Sequence, residues 1–121
     1  MTTKNHIIIV YGSLKKGKCN HDLLEGQEYL GNTVVHGVMQ LNGSYPYLFD
    51  SFAVKRPGKN HSAIYDAEVY RVDDATYRAI TAMELGAGYY EREISTDWGM
   101  GIAYYTQPRL FSKSKEVIKE Y

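Results

Sequence analysis

A single cysteine, Cys19, and only three prolines occur in this chain of 121 residues, and its charges cancel, 14 Lys and Arg against 14 Asp and Glu. One cysteine excludes an internal disulfide and a cysteine-built zinc site. Zero net charge withholds the basic field by which proteins coat nucleic acid or anionic membrane, so neither is an expected partner. The longest apolar run, Ile7 to Tyr11, is far below the roughly 18 to 20 residues of a membrane span, and no small-residue cleavage site follows it as in a secretory signal. The histidines His6, His21, His36 and His61 lack the i, i+4 pairing of a helical metal site. There is no repeat, low-complexity tract or internal linker. The expectation is one soluble, cytoplasmic domain over residues 1–121, long enough to bury a core unaided.

Tyrosine, in contrast, is abundant: 12 Tyr stand against three Phe and one Trp, in a chain that is 44% hydrophobic and so not disordered. Tyr joins an apolar ring to a hydroxyl that needs a partner, which suits the wall of a pocket for a polar ligand as well as a packed core.

The β-branched run from His6 to Tyr11 reads as a buried strand ended by Gly12. A short helix is expected over Asn20 to Glu25, stopped by Gly26. Strands follow over Val34 to Leu41 and Tyr45 to Phe49, with turns at Asn42-Gly43 and Asp50-Ser51. Lys55 to Ser62 reads as a loop, and Ala63 to Val72 as a region ending in a strand. Asp73 or Asp74 caps a helix running to about Leu85, stopped by Gly86 and Gly88. Tyr89 to Thr96 and Gly101 to Thr106 flank a hairpin connection at Asp97 to Met100. Ser112 to Tyr121 is expected as a short terminal helix or a frayed tail. Strands outnumber helices, so the pattern predicts an α+β domain around a small curved mixed β-sheet or barrel with few helices.

Two places could carry chemistry. Gly12-Ser-Leu-Lys-Lys-Gly17-Lys18 nearly spells a phosphate loop, but Cys19 stands where a Ser or Thr would bind magnesium. The physics of the turn remains: Gly12 lets successive backbone N–H groups point at one anion, a carboxylate as well as a phosphate. A plain glycine turn with solvated lysines is the competing reading. Glu84 is the second place. In the predicted helix Tyr77, Ile80 and Met83 form an apolar stripe, and Glu84 follows Ile80 by four residues, which puts its carboxylate at or beside that stripe. Desolvation there raises a carboxyl pKa toward neutrality, as a general acid/base requires. A Glu at the stripe edge that reaches water, or pairs with a base such as Arg92, fits the same spacing.

Val10-Tyr-Gly-Ser-Leu-Lys-Lys-Gly17 with Asn20, His21 and Leu24 resembles the opening signature of the γ-glutamylcyclotransferase-like proteins, closest to the γ-glutamylamine cyclotransferase branch. Gly37 with Tyr45-Pro46, Ala67 to Asp73, and Met83-Glu84 followed by Tyr90-Glu91-Arg92 agree in the same order. The resemblance implies that Tyr11, Gly12, Ser13 and Leu14 hold the glutamyl head of a small-molecule γ-glutamyl substrate, that Glu84 is the catalytic acid/base, and that Tyr90 and Arg92 support that site. It implies an intramolecular cyclisation to 5-oxoproline with release of an amine or amino acid, using no metal or cofactor. It departs from the family at position 81, where an Asp is frequent and Thr81 stands, and at Cys19, in place of a Pro. The alternative is a non-catalytic carboxylate-binding protein on the same fold.

Overall fold

The computed structural model describes residues 5–12, 21–43, 45–54, 63–118 and 121. Six strands form one mixed sheet: β1 (Asn5–Val10), β2 (Glu28–Asn42), β3 (Tyr45–Phe49), β4 (Ala63–Asp73), β5 (Tyr89–Thr96) and β6 (Gly99–Thr106), in the order β3-β2-β4-β1-β6-β5. Every neighbouring pair is antiparallel except β1 with β6, which run parallel through Ile8 opposite Ile102 and Ile9 opposite Ala103. The single α-helix of the described residues, α1 (Asp74–Gly86), leaves β4 directly. Its N-cap is Asp73, whose carboxylate accepts from the Thr76 amide at 2.7 Å. That bond holds the Asp73 carboxyl below its usual pKa and satisfies one of the amides a helix start leaves open.

The sheet is curved far enough to bring its two edge strands together. The Tyr89 hydroxyl on β5 donates to the main-chain oxygen of Pro46 on β3 at 2.7 Å, and Arg92 reaches Asp50 just beyond β3 at 3.0 Å. Alternation along the strands then sorts most apolar residues into an inner and an outer core, beside a third cluster of Val38, Phe49 and Val54. Ile9, Val35, Met39, Leu48, Val69 and Tyr105 meet on the concave side. Ile8, Val10, Tyr70, Val72 and Tyr104 point outward, where Leu24 and the wholly buried Ile80 of α1 cover them. Burying Ile80 alone is worth about 1.5–3 kcal/mol, which is what docks the helix.

Three elements differ from the sequence expectation. β2 begins at Glu28 rather than Val34, because the strand continues through Gly31 with a shift of register between Tyr29 and Gly31. Gly31 has φ +154, and a Cβ there would stand 2.5 Å from the Trp98 ring. The strand thus passes through a glycine bulge roofed by an indole. The helix expected over Asn20 to Glu25 is a single 3-10 turn, His21–Leu24. Over its described residues 112–118, the segment expected as a helix or a frayed tail is a strap held by the buried Gln40, entered through a 3-10 turn at Pro108–Leu110. The Gln40 amide donates to the Ser112 and Lys115 carbonyls and accepts from the Ser112 amide, while Ile118 pairs with Met39. The expected loop at Lys55 to Ser62 lies outside the described residues.

Gln40 has no apolar substitute, because removing its buried amide breaks three hydrogen bonds that hold the strap backbone at Ser112 and Lys115. Gln40→Leu is expected to lower the unfolding free energy by about 2–3 kcal/mol, read from urea melts. A change within experimental error would show that the strap contributes nothing to the fold.

Candidate functional site

A cavity of about 470 Å³ opens where the end of β1, the last turn of α1, the β2–β3 hairpin and the start of β5 converge. Its floor is Ile9, Val10, Tyr11 and Gly12, its helical wall Met83, Glu84 and Ala87. The hairpin contributes Asn42, Tyr45, Pro46 and Tyr47, and Tyr89 and Tyr104 close the far side. Glu84 is the one ionised-type side chain among these described lining residues. Burial pushes its carboxyl from 4.5 up to about 7, since a low-dielectric wall disfavours the charged form. The i+4 spacing from Ile80 puts it there: Ile80 is seated in the outer core, and the next turn carries Glu84 past the edge of that core into the cavity. Arg92 does not neutralise it, being bound to Asp50 and lying over the Tyr105 ring at 4.7 Å.

Gly12 faces the β2–β3 hairpin across the cavity mouth. A Cβ on Gly12 would stand 2.8 Å from Cγ of Pro46, closer than carbon atoms pack. Its φ is not positive, so close approach rather than an unusual backbone angle demands glycine here. Tyr11 is buried, and its hydroxyl donates to the Tyr104 main-chain oxygen. Burial, followed by the charges of Tyr89 and Glu84, raises the Tyr11 pKa well above its ordinary value, so it stays a neutral phenol.

Tyrosine hydroxyls around the cavity are tied to fixed partners. Tyr104 bonds Thr81 Oγ1 at 2.7 Å, Thr81 bonds Glu91 Oε1 at 3.2 Å, and Tyr77 also donates to that Glu91 oxygen. Thr81, which stands where an Asp was expected by resemblance, therefore bonds across to β5 and β6. Asn42 donates to the Tyr47 hydroxyl at 2.9 Å. Burial raises the pKa of both Tyr89 and Tyr104, with the Glu84 charge adding to each.

Of the residues singled out in the sequence, Tyr11, Gly12 and Glu84 meet at this cavity. Ser13 and Leu14 lie outside the described residues, as do Lys15, Lys16, Lys18 and Cys19. Tyr90 and Arg92 are on the opposite face of β5 from Tyr89: Tyr90 packs on the inner core beside Tyr105, and neither is among the lining residues. Both remain within electrostatic range of the floor, Arg92 by way of Tyr105 and Tyr90 through Tyr11. Tyr89, Tyr104 and Pro46 were missed as site residues. The signal for the first two was the pairs Tyr89-Tyr90 and Tyr104-Tyr105, of which alternation sends one member to each side. Nothing local to Pro46 marks it.

Residues 8–118 match the family described as "Gamma-glutamyl cyclotransferase, AIG2-like". A protein of Pyrococcus horikoshii named "Putative gamma-glutamylcyclotransferase PH0828" is 39% identical over 92 residues, which are 76% of this chain and 71% of that one. Its crystal structure superposes with a TM-score of 0.71 over 94% of this chain and 86% of its own. A Vibrio cholerae protein named "Putative gamma-glutamylcyclotransferase" is 30% identical over 105 residues, 84% of this chain and 83% of that one. The crystal structure of an AIG2-like protein from Mus musculus shares the fold, with a TM-score of 0.69 at 20% identity, over 97% of this chain and 88% of its own.

Proposed function

Because the chain belongs to the gamma-glutamyl cyclotransferase, AIG2-like family, we propose that it cyclises a γ-glutamyl compound to 5-oxoproline with release of the γ-amine, and that Glu84 carries the proton. The observation that carries this reading is a half-buried carboxyl of pKa about 7 in the wall of a cavity whose floor ends at the Gly12 turn. Within this reading the substrate's α-ammonium gives a proton to Glu84, and the freed amine attacks the γ-carbonyl carbon of the same molecule. A new C–N bond forms and the bond to the leaving nitrogen breaks; Glu84 hands that nitrogen the first proton and then relays the second, which the attacking nitrogen sheds on becoming a lactam N–H, so the leaving group departs as an ammonium. Nucleophile and electrophile are tethered, so holding the substrate folded removes much of the entropic barrier. A carboxyl near pH 7 suits both halves of the proton transfer. Backbone N–H groups from Tyr11 through Gly12, Ser13 and Leu14 take the α-carboxylate and the oxyanion, and Tyr90 and Arg92 act as support behind the Tyr11 floor.

The leaving group on this reading is an amine, as in the γ-glutamylamine branch. The described lining holds no Lys, Arg or His, so among the described residues nothing offers a cation to the second carboxylate that a leaving amino acid would bring. A carboxylate-binding protein without activity is disfavoured by the same Glu84, whose charge would repel the ligand. The test is 5-oxoproline release over γ-glutamylamines, γ-glutamyl amino acids and glutathione. Turnover of the amines ahead of the other two supports the reading, and no release from any of them refutes it.

The pH dependence follows from the sign of the Glu84 displacement. A base must be unprotonated to act, so kcat/KM should rise as pH climbs through about 7 and level off above it. A half-rise near the 4.3 of an exposed Glu would remove Glu84 from the role.

A further inference from the structure

We propose that Thr81, held by Glu91, is a positioning residue that fixes the direction of the Tyr104 hydroxyl, so that Tyr104 and Tyr89 present only acceptor oxygens to the cavity and form a subsite for an amine or ammonium group. The identity of that group as the substrate's α-amine rests on the cyclotransferase reading, but the hydrogen-bond argument does not.

The direction follows from counting protons. An ionised carboxylate can only accept, so in the bond between Thr81 and Glu91 the threonine hydroxyl is the donor. Having spent its one proton there, Thr81 Oγ1 can only accept from Tyr104 at 2.7 Å. The Tyr104 proton is thus committed toward α1, and what its oxygen has left is a lone pair. Tyr89 reaches the same condition by another route, because its hydroxyl donates to the Pro46 carbonyl at 2.7 Å. Glu84 stands one turn after Thr81 on the same helix, which adds a third acceptor to the same side of the cavity. Tyr47 has the reverse polarity: its oxygen accepts from Asn42, leaving its proton free to be donated. The cavity therefore has an accepting side toward β5, β6 and α1 and a donating tyrosine on the hairpin, and only a ligand whose N–H groups face the former satisfies both.

The test measures binding of two inert five-carbon probes that differ only in the α-amine, L-norvaline and pentanoate, together with butylammonium. Wild-type protein should bind norvaline at least about tenfold more tightly than pentanoate, the usual worth of a hydrogen bond to a charged group. Thr81→Val, which keeps the shape and removes the hydroxyl, and Tyr104→Phe should each lose most of that preference and weaken butylammonium similarly, with pentanoate changed by less than about twofold. Thr81→Ser should restore it. Equal losses for norvaline and pentanoate would show a merely structural role and overturn the proposal. So would a wild-type protein that does not prefer norvaline, or a Thr81→Val protein that keeps the preference. Preference for the amine without turnover of any γ-glutamyl compound would leave this inference standing and remove the cyclotransferase reading alone.

Discussion

Glu84→Gln is expected to lower kcat by about two to four orders of magnitude while leaving γ-glutamyl ligands bound, because the amide keeps the volume of the carboxyl and loses its proton chemistry. The same substitution should stabilise the protein in alkaline solution. The Glu84 carboxyl titrates at about 7 when folded against 4.5 when free, so the native state holds a proton that the unfolded state has released. Stability then falls as pH rises from about 4.5 to about 7 and stays lower above that. The loss is on the order of 3 kcal/mol. A glutamine has nothing to ionise, so the variant should melt higher than wild type at pH 8 and close to it at pH 4. Turnover within a few-fold of wild type would exclude Glu84 as the proton carrier. An unchanged melting difference across that range would show that the carboxyl is not desolvated in solution.

Gly12→Val is expected to weaken ligand binding strongly. Its Cβ would lie 2.8 Å from the Pro46 ring, and a proline ring cannot rotate away. Either the β2–β3 hairpin moves outward, opening the cavity and pulling Pro46 from Tyr89, or the end of β1 shifts and carries Tyr11 with it. Both remove the close approach through which backbone amides meet an anion. Overpacking of this kind costs about 1–3 kcal/mol, so the variant should fold, melt lower and bind γ-glutamyl ligand at least a hundredfold more weakly. A double variant, Gly12→Val with Pro46→Ala, should recover part of the affinity. Recovery of stability with no recovery of binding would move the anion site away from the Gly12 turn.

The parts of the site carried by short-range pattern were legible in the sequence. Ile80 and Glu84 could be placed relative to each other because a helix repeats every 3.6 residues, whereas strand alternation splits each tyrosine pair without saying which member meets the cavity. What escaped was set by closure of the sheet. Pro46 acquires its role only when the β3 edge curls round to meet β5, and Gly31 joins two halves of one long strand because Trp98, far along the chain, roofs it. Arg92, a possible partner for Glu84 by spacing, is directed by strand alternation to the other face and finds Asp50. The C-terminal strap depends on a single buried glutamine whose partners are more than seventy residues away, and no local periodicity marks such a bond. The predominance of strands and the one long helix were readable from apolar runs, caps and turn residues, whereas the short helix expected over Asn20 to Glu25 is only a 3-10 turn over His21–Leu24.

The parallel contact between β1 and β6 governs how the protein can be made. Ile8 lies opposite Tyr70 on one side and Ile102 on the other, so β1 is a central strand whose two neighbours are both synthesised much later than it is. Until β6 has emerged, one ladder edge of the most apolar segment in the chain is open, with the hydrogen-bonding groups of Ile7 to Val10 available to any other strand. Folding must wait for distant closure and belongs with the slow, non-local topologies. A nascent chain halted before Gly99 should therefore be captured by chaperones and be cut readily by protease, and emergence of β6 (Gly99–Thr106) should be the event that ends both.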